Sequence, residues 1–248
     1  MVKPSQQTSN YGVSKSEREL LAIVRENDLI VFSPRDVSRL LGCKKSRVHN
    51  ILQQLKKKGI VANPRRNHYV LNELFPQRKF EMATGLTNPS YISFWTCLNY
   101  YGFTEQQVKS VQVVTTKNYK NIQDFKIQVT RFKPDRFFGY LKEDGFSIAE
   151  KEKCLIDSFA YPEKAGGFNE VMDCLKKAWA EMDREKFQKY LRMYGNKALN
   201  ARLGYLLEKL ELEKLTLPLP TTYVKLNKEK DKAGKRIKKW RIVINDEI

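Results

Sequence analysis

With 248 residues, of which 46 are Lys or Arg and 28 are Asp or Glu, the chain carries a formal charge of +18. That is enough length for a sizeable core and roughly one to three domains, and the charge points to a polyanionic partner. No run of eighteen apolar residues occurs and the start, MVKPSQQTSNYG, lacks the apolar stretch of a signal peptide, so a soluble intracellular protein is expected rather than a membrane-spanning or secreted one.

The positive charge is unevenly spread. Residues 1–80 hold 16 Lys and Arg against 6 Asp and Glu, residues 81–220 hold 21 against 18, and residues 221–248 hold 9 against 4. The two ends are basic and the middle is close to balanced. Cys43, Cys97, Cys154 and Cys174 form no CxxC pair, so free thiols in a reducing cytoplasm, buried within the fold, are expected.

Residues 1–13 are polar and read as a mobile tail. Ser16 and Glu19 have the spacing of a capping box for a first helix with Leu20, Leu21, Ile23 and Val24 as its apolar positions. Ser33, Pro34 and Asp36 announce a second helix with Val37, Leu40 and Leu41 on one face. Gly42 can leave that helix with positive φ, and a third begins near Lys44 or Lys45, buries Val48, Ile51, Leu52 and Leu55, and stops at Gly59. At about 100° per residue, the opposite face of the third helix carries Ser46, Asn50, Gln53 and Lys57, flanked by Arg47 and His49. Ile60 and Val61, a turn over residues 63–67, and a return strand from His68 to Leu71 complete a hairpin with Arg65 and Arg66 at its tip. The outline is that of a winged helix-turn-helix over residues 14–75. Ser46, Arg47, His49, Asn50 and Gln53 are then candidates for reading base edges, while Lys44, Lys45, Arg65 and Arg66 are candidates for phosphate.

Residues 76–88, with Pro76, Gly85 and the basic pair Arg78 and Lys79, read as a linker to a larger domain over residues 89–220. There, NPSYISFWTCLNYYGF reads as an aromatic-rich helix capped by Asn88 and started by Pro89, and Thr104 with Gln107 as a further helical turn. Strands follow over residues 111–116, 126–132 and 137–141, then helices over 147–161, 168–182, 183–194 and 197–212. Strands followed by a helical run make an α+β domain, ended by Pro218 and Pro220. The last part, residues 221–248, reads as a basic β-hairpin pairing 222–227 with 237–245 around the charged turn KEKDKAGKR.

His49 and His68 are the only histidines, so residues 89–220 hold no Ser-His-Asp or Cys-His set and no His-rich metal site; P-loop and GxGxxG motifs are absent. No cofactor and no metal are expected. The best enzymatic candidate joins Pro134-Asp135 to Glu150, Glu152 and Asp157, as in metal-dependent phosphodiester cleavage, but the Glu-x-Lys spacing fails: Glu152 follows Glu150 by two and Cys154 follows Glu152 by two. The bland reading of this run is the exposed first turn of an amphipathic helix.

The order Pro89-Ser90-Tyr91-Ile92-Ser93, Tyr100-Tyr101-Gly102-Phe103-Thr104-Glu105, Val113-Val114-Thr115-Thr116, Phe138-Gly139, Ile148-Ala149 before residues 152–157, and Arg202-Leu203-Gly204-Tyr205-Leu206-Leu207 resembles the AbiEi antitoxins, over about residues 17–212. These are transcriptional regulators of type IV, abortive-infection toxin–antitoxin systems. The resemblance implies a non-enzymatic repressor that binds inverted repeats in its own operator through the N-terminal domain; the sequence leaves monomer and homodimer both open. It also implies a C-terminal domain that counteracts a nucleotidyltransferase-like toxin. Two other readings stand beside it: an inhibitor that touches a toxin by protein contact and binds no DNA, and a metal-dependent nuclease.

Overall fold

The computed structural model describes residues 12–231 and 233–247. The expected mobile tail falls mostly outside the described residues. Three helices, α1 (Lys15–Glu26), α2 (Pro34–Leu40) and α3 (Lys45–Lys57), are followed by a hairpin of β1 (Val61–Arg65) and β2 (His68–Leu71). Leu20, Leu21, Val24, Phe32, Val37, Val48, Leu52, Leu55, Val61, Tyr69 and Leu71 make the first core. The capping box of α1 uses Ser14 and Glu17 instead of Ser16 and Glu19. Both pairs have the right spacing, and the earlier one forms because Glu17 turns inward to Lys58 while Glu19 stays exposed. On α2 the Ser33–Asp36 box and Pro34 form as expected, and Gly42 takes φ +62°.

The hairpin turn is shorter than the sequence suggests. β1 runs through Arg65, so only Arg66 and Asn67 turn, with Asn67 at φ +61°. The register slips between Ala62 and Arg65, and the Asn63 amide fixes this bulge by donating to the Arg65 and His68 carbonyls, both at 2.7 Å. Pro64, which has no N–H to give a ladder, sits inside the bulge.

Residues 76–88 are no linker. After a 3₁₀ turn over Asn72–Leu74, α4 (Lys79–Leu86) places Met82, Ala83 and Leu86 in a second, larger core. Gly85 lets α4 close on the segment before α2: a Cβ there would lie 2.9 Å from Cγ2 of Val31, which packs against this same second core. The aromatic run does not begin as a helix either. Ser90–Ile92 form β3, and α5 spans only Phe94–Tyr100. Residues 104–107 form no helical turn; the Thr104 hydroxyl accepts the Gln106 N–H and bonds Glu170.

β3 is central in a mixed sheet of order β5-β4-β3-β7-β6, with β4 (Val111–Thr115), β5 (Ile127–Arg131), β6 (Tyr140–Glu143) and β7 (Phe146–Ala149). It runs antiparallel to β4 and parallel to β7. β6 starts later than expected, and β7 occupies residues read as the start of a helix, because Asp144 and Gly145 (φ +83°) turn the chain back. The helical run is α6 (Lys151–Ala160), α7 (Phe168–Ala178), α8 (Arg184–Tyr194) and α9 (Lys197–Lys209). Residues 152–159 of α6 are all buried, so this helix is the centre of the second core and not an amphipathic surface helix.

The C-terminal hairpin is instead a three-stranded sheet of order β8-β10-β9: β8 (Val224–Lys225), β9 (Lys235–Ile237) and β10 (Ile242–Ile244). The run 237–245 breaks at a turn that sends Trp240 onto α9, where it is 4% exposed and donates to Glu208 at 2.8 Å. β8 then pairs parallel to β10. The four cysteines are free thiols; Cys43 is half-buried and the other three are buried. Among the described residues no helix is long and apolar enough to cross a membrane.

Candidate nucleic-acid interface

The α2–α3 turn holds the exposed face of α3 in place. Ser38 Oγ donates to the Cys43 carbonyl at 2.6 Å, and Val48, Leu52 and Leu55 are fully buried. With Ile51 half-buried against the same core, the polar side chains on the opposite side of α3 face outward. Lys44, Lys45, Ser46, Arg47, His49 and Asn50 are exposed, and Gln53 is half-buried. Gln53 stands 3.5 Å from the His49 ring and 3.4 Å from the Tyr69 hydroxyl, which ties this face to the hairpin. Ser46, Asn50 and Gln53 thus share one face with His49 at its edge. Arg47 lies apart, lining a small cleft with Ser16, Glu19, Leu41, Cys43 and Ile51. Unlike α1 and α2, α3 has no side-chain cap: Lys44 occupies the cap position and offers no acceptor to the first-turn amides.

The cations near this face are unpaired. Among the described residues Lys44, Lys45, Arg47, Lys56, Lys57 and Arg66 make no ion pair, whereas Lys58 is neutralised by Glu17 (2.7 Å) and Arg25 by Glu73 (2.9 Å). Selective pairing leaves charge where α3 and the hairpin tip meet solvent.

Arg65 does not join Arg66 at the tip. Its guanidinium lies 3.8 Å above the ring of Tyr119, and its Nη1 donates to the Leu86 carbonyl. Tyr119 in turn donates to the Asn88 carbonyl at 2.9 Å. The hairpin is two-sided: Val61, Tyr69 and Leu71 belong to the first core, while Val70 belongs to the second and Ala62 packs against it. Sequence reasoning did not single out Tyr119, whose loop between β4 and β5 is distant along the chain. Its signal was the basic flank, Lys117 and Lys120.

The residues weighed for phosphodiester cleavage do not meet in an open site. Asp135 is exposed on a 3₁₀ turn, Glu150 and Glu152 pair with Lys186 at 3.5 and 3.4 Å, and Asp157 is fully buried. Asp157 pairs with Lys153 and accepts from Ser93 at 2.9 Å and Tyr91 at 3.1 Å. Burial pushes the Asp157 carboxyl up and the Lys153 ammonium down, and their mutual attraction opposes both. The rings of Tyr91, Phe132, Phe138 and Tyr194 surround the Lys153 ammonium at 5.1–5.3 Å. Among the described residues no group of three His, Cys, Asp or Glu is placed to hold a metal ion.

No protein-family model matches the chain, and no curated protein matches it. In fold it is similar to the crystal structure of the Rv2827c protein from Mycobacterium tuberculosis, with a TM-score of 0.66 over 95% of this chain and 93% of that one, at 12% identity. At that identity the likeness is one of fold: a mixed α+β chain with N-terminal helices and a short hairpin, a mixed five-stranded sheet, a helical run and a small C-terminal sheet.

Proposed function

We propose that the chain is a sequence-specific repressor that binds double-stranded DNA through a winged helix-turn-helix formed by α1, α2, α3 and the hairpin. The observation that carries this reading is the outward face of α3: Ser46, Asn50, Gln53 and His49 together, uncapped first-turn amides, and Lys44 and Lys45 without ion-pair partners. Amide and hydroxyl side chains of this kind hydrogen-bond base edges in the major groove, while unpaired cations and free helical amides hold phosphate. Arg66 at the hairpin tip supplies a further phosphate contact, and Arg47 reaches the backbone from the edge of α3.

The AbiEi resemblance extends the proposal. The chain would repress its own operon at inverted repeats and act as the antitoxin against a nucleotidyltransferase-like toxin. Co-expression tests this: the downstream gene, expressed alone, should arrest growth, and this chain in trans should restore it. If growth were arrested equally with and without the chain, the antitoxin reading would fail while the DNA reading stood. A second reading, docking to a toxin by protein contact without DNA, draws on Leu40, which is 45% exposed on α2.

A further inference from the structure

We infer that the DNA-contacting surface is composite: the β4–β5 loop carrying Lys117 and Lys120 continues the phosphate-binding surface of the hairpin and lengthens its footprint on the duplex. This rests on the DNA-binding reading. The juxtaposition comes from the Arg65–Tyr119 stack at 3.8 Å and from the two-sided packing of the hairpin, which seats Val61 and Leu71 in one core and Val70 in the other. A hairpin held this way is not a mobile arm, so its tip and the loop beneath it present one surface.

The charges fall accordingly. Arg66 is the next residue after Arg65, and Lys117 and Lys120 lie two residues before and one after Tyr119, within about 7 Å of it along the chain. All three are exposed, and among the described residues none makes an ion pair. Arg131, exposed and paired across the strands with Thr115, adds a fourth cation at the base of the loop. Cations gathered within about a Debye length repel one another until an anion arrives. Tyr119 and the Leu86 carbonyl occupy Arg65, so the loop lysines supply the charge that Arg65 does not deliver.

The test is salt titration of full-length protein on a duplex from upstream of its own gene and on a scrambled duplex. Each lost phosphate contact flattens the log–log dependence by about 0.9. The double variant Lys117→Gln, Lys120→Gln should flatten it by about 1.8 and weaken both duplexes alike, with an unchanged thermal melt; Arg66→Gln alone should flatten it by about 0.9. If the wild type binds and the double variant keeps its slope and affinity, the composite surface is wrong and the DNA reading survives. If the wild type binds neither duplex, both are wrong.

Discussion

The guanidinium of Arg65 lies 3.8 Å above the ring of Tyr119, so the residue expected at the hairpin tip fastens the hairpin to the β4–β5 loop and the end of α4 instead. A cation–π contact contributes about 0.5–1 kcal/mol at an exposed site and about 2 kcal/mol when desolvated. Arg65→Ala should therefore lower the thermal midpoint and leave the salt dependence of DNA binding unchanged. Arg66→Ala should do the reverse. Calorimetry and salt titration on the two variants separate the roles, and a slope flattened by Arg65→Ala would restore Arg65 as a phosphate contact.

Lys153 and Asp157 are both fully buried and paired on α6. Removing one member leaves a buried charge uncompensated, which costs about 3–5 kcal/mol, whereas replacing both with apolar side chains of similar volume is often neutral. Asp157→Ala should thus be severely destabilised in urea, and the double variant Lys153→Met, Asp157→Leu should recover most of the loss. Equal destabilisation of the single and double variants would show that the pair itself, and not the uncompensated charge, holds the core.

Acid should weaken the first core through Glu17. Burial would raise its carboxyl, but hydrogen bonds from Lys58 and Ser14 outweigh that and hold it below the ordinary value of 4.5. A carboxyl lowered by folding contributes stability that is fully present above the unfolded value and is lost as pH falls through the folded one. Unfolding midpoints measured from pH 7 to pH 3 should fall below about pH 4.5, and Lys58→Met should be less stable at neutral pH with a shallower acid decline. Parallel pH curves for the two proteins would remove Glu17 from the explanation.

Gly204 on α9 is where the C-terminal sheet rests. A Cβ there would come within 2.1 Å of Trp240 Cζ3. Overpacking of this kind costs about 1–3 kcal/mol, so Gly204→Ala should expel the indole. The expected readout is red-shifted tryptophan emission, absent when Trp240→Phe is combined with it; an unshifted spectrum would mean that α9 and the sheet separate without moving the ring.

What was legible in the sequence was local. The α2 capping box and the positive φ of Gly42 form as read, and so does the buried stripe of α3 except that Ile51 is only half-buried; each is set by residues within a few positions. Ser90–Ile92 and Phe146–Ala149 become strands because β4, β6 and each other's backbone groups complete them, a condition no short window contains. α4 was hidden by Pro76 and Gly85, which read as linker residues; Gly85 is set by Val31, a neighbour that only the tertiary fold brings to it. For the candidate site, the face of α3 was legible from its period, while the engagement of Arg65 was not, since Leu86 and Tyr119 reach it only through the tertiary fold.

The central proposal, sequence-specific DNA binding by the exposed face of α3, is tested most directly by competition at one fixed salt concentration. Full-length protein is titrated against the duplex upstream of its own gene and against a scrambled duplex of equal length. The expected result is binding about a thousandfold tighter or more to the upstream duplex, with Asn50→Ala costing about 1–3 kcal/mol on that duplex and little on the scrambled one. Affinities for the two duplexes within a few-fold of each other would contradict it.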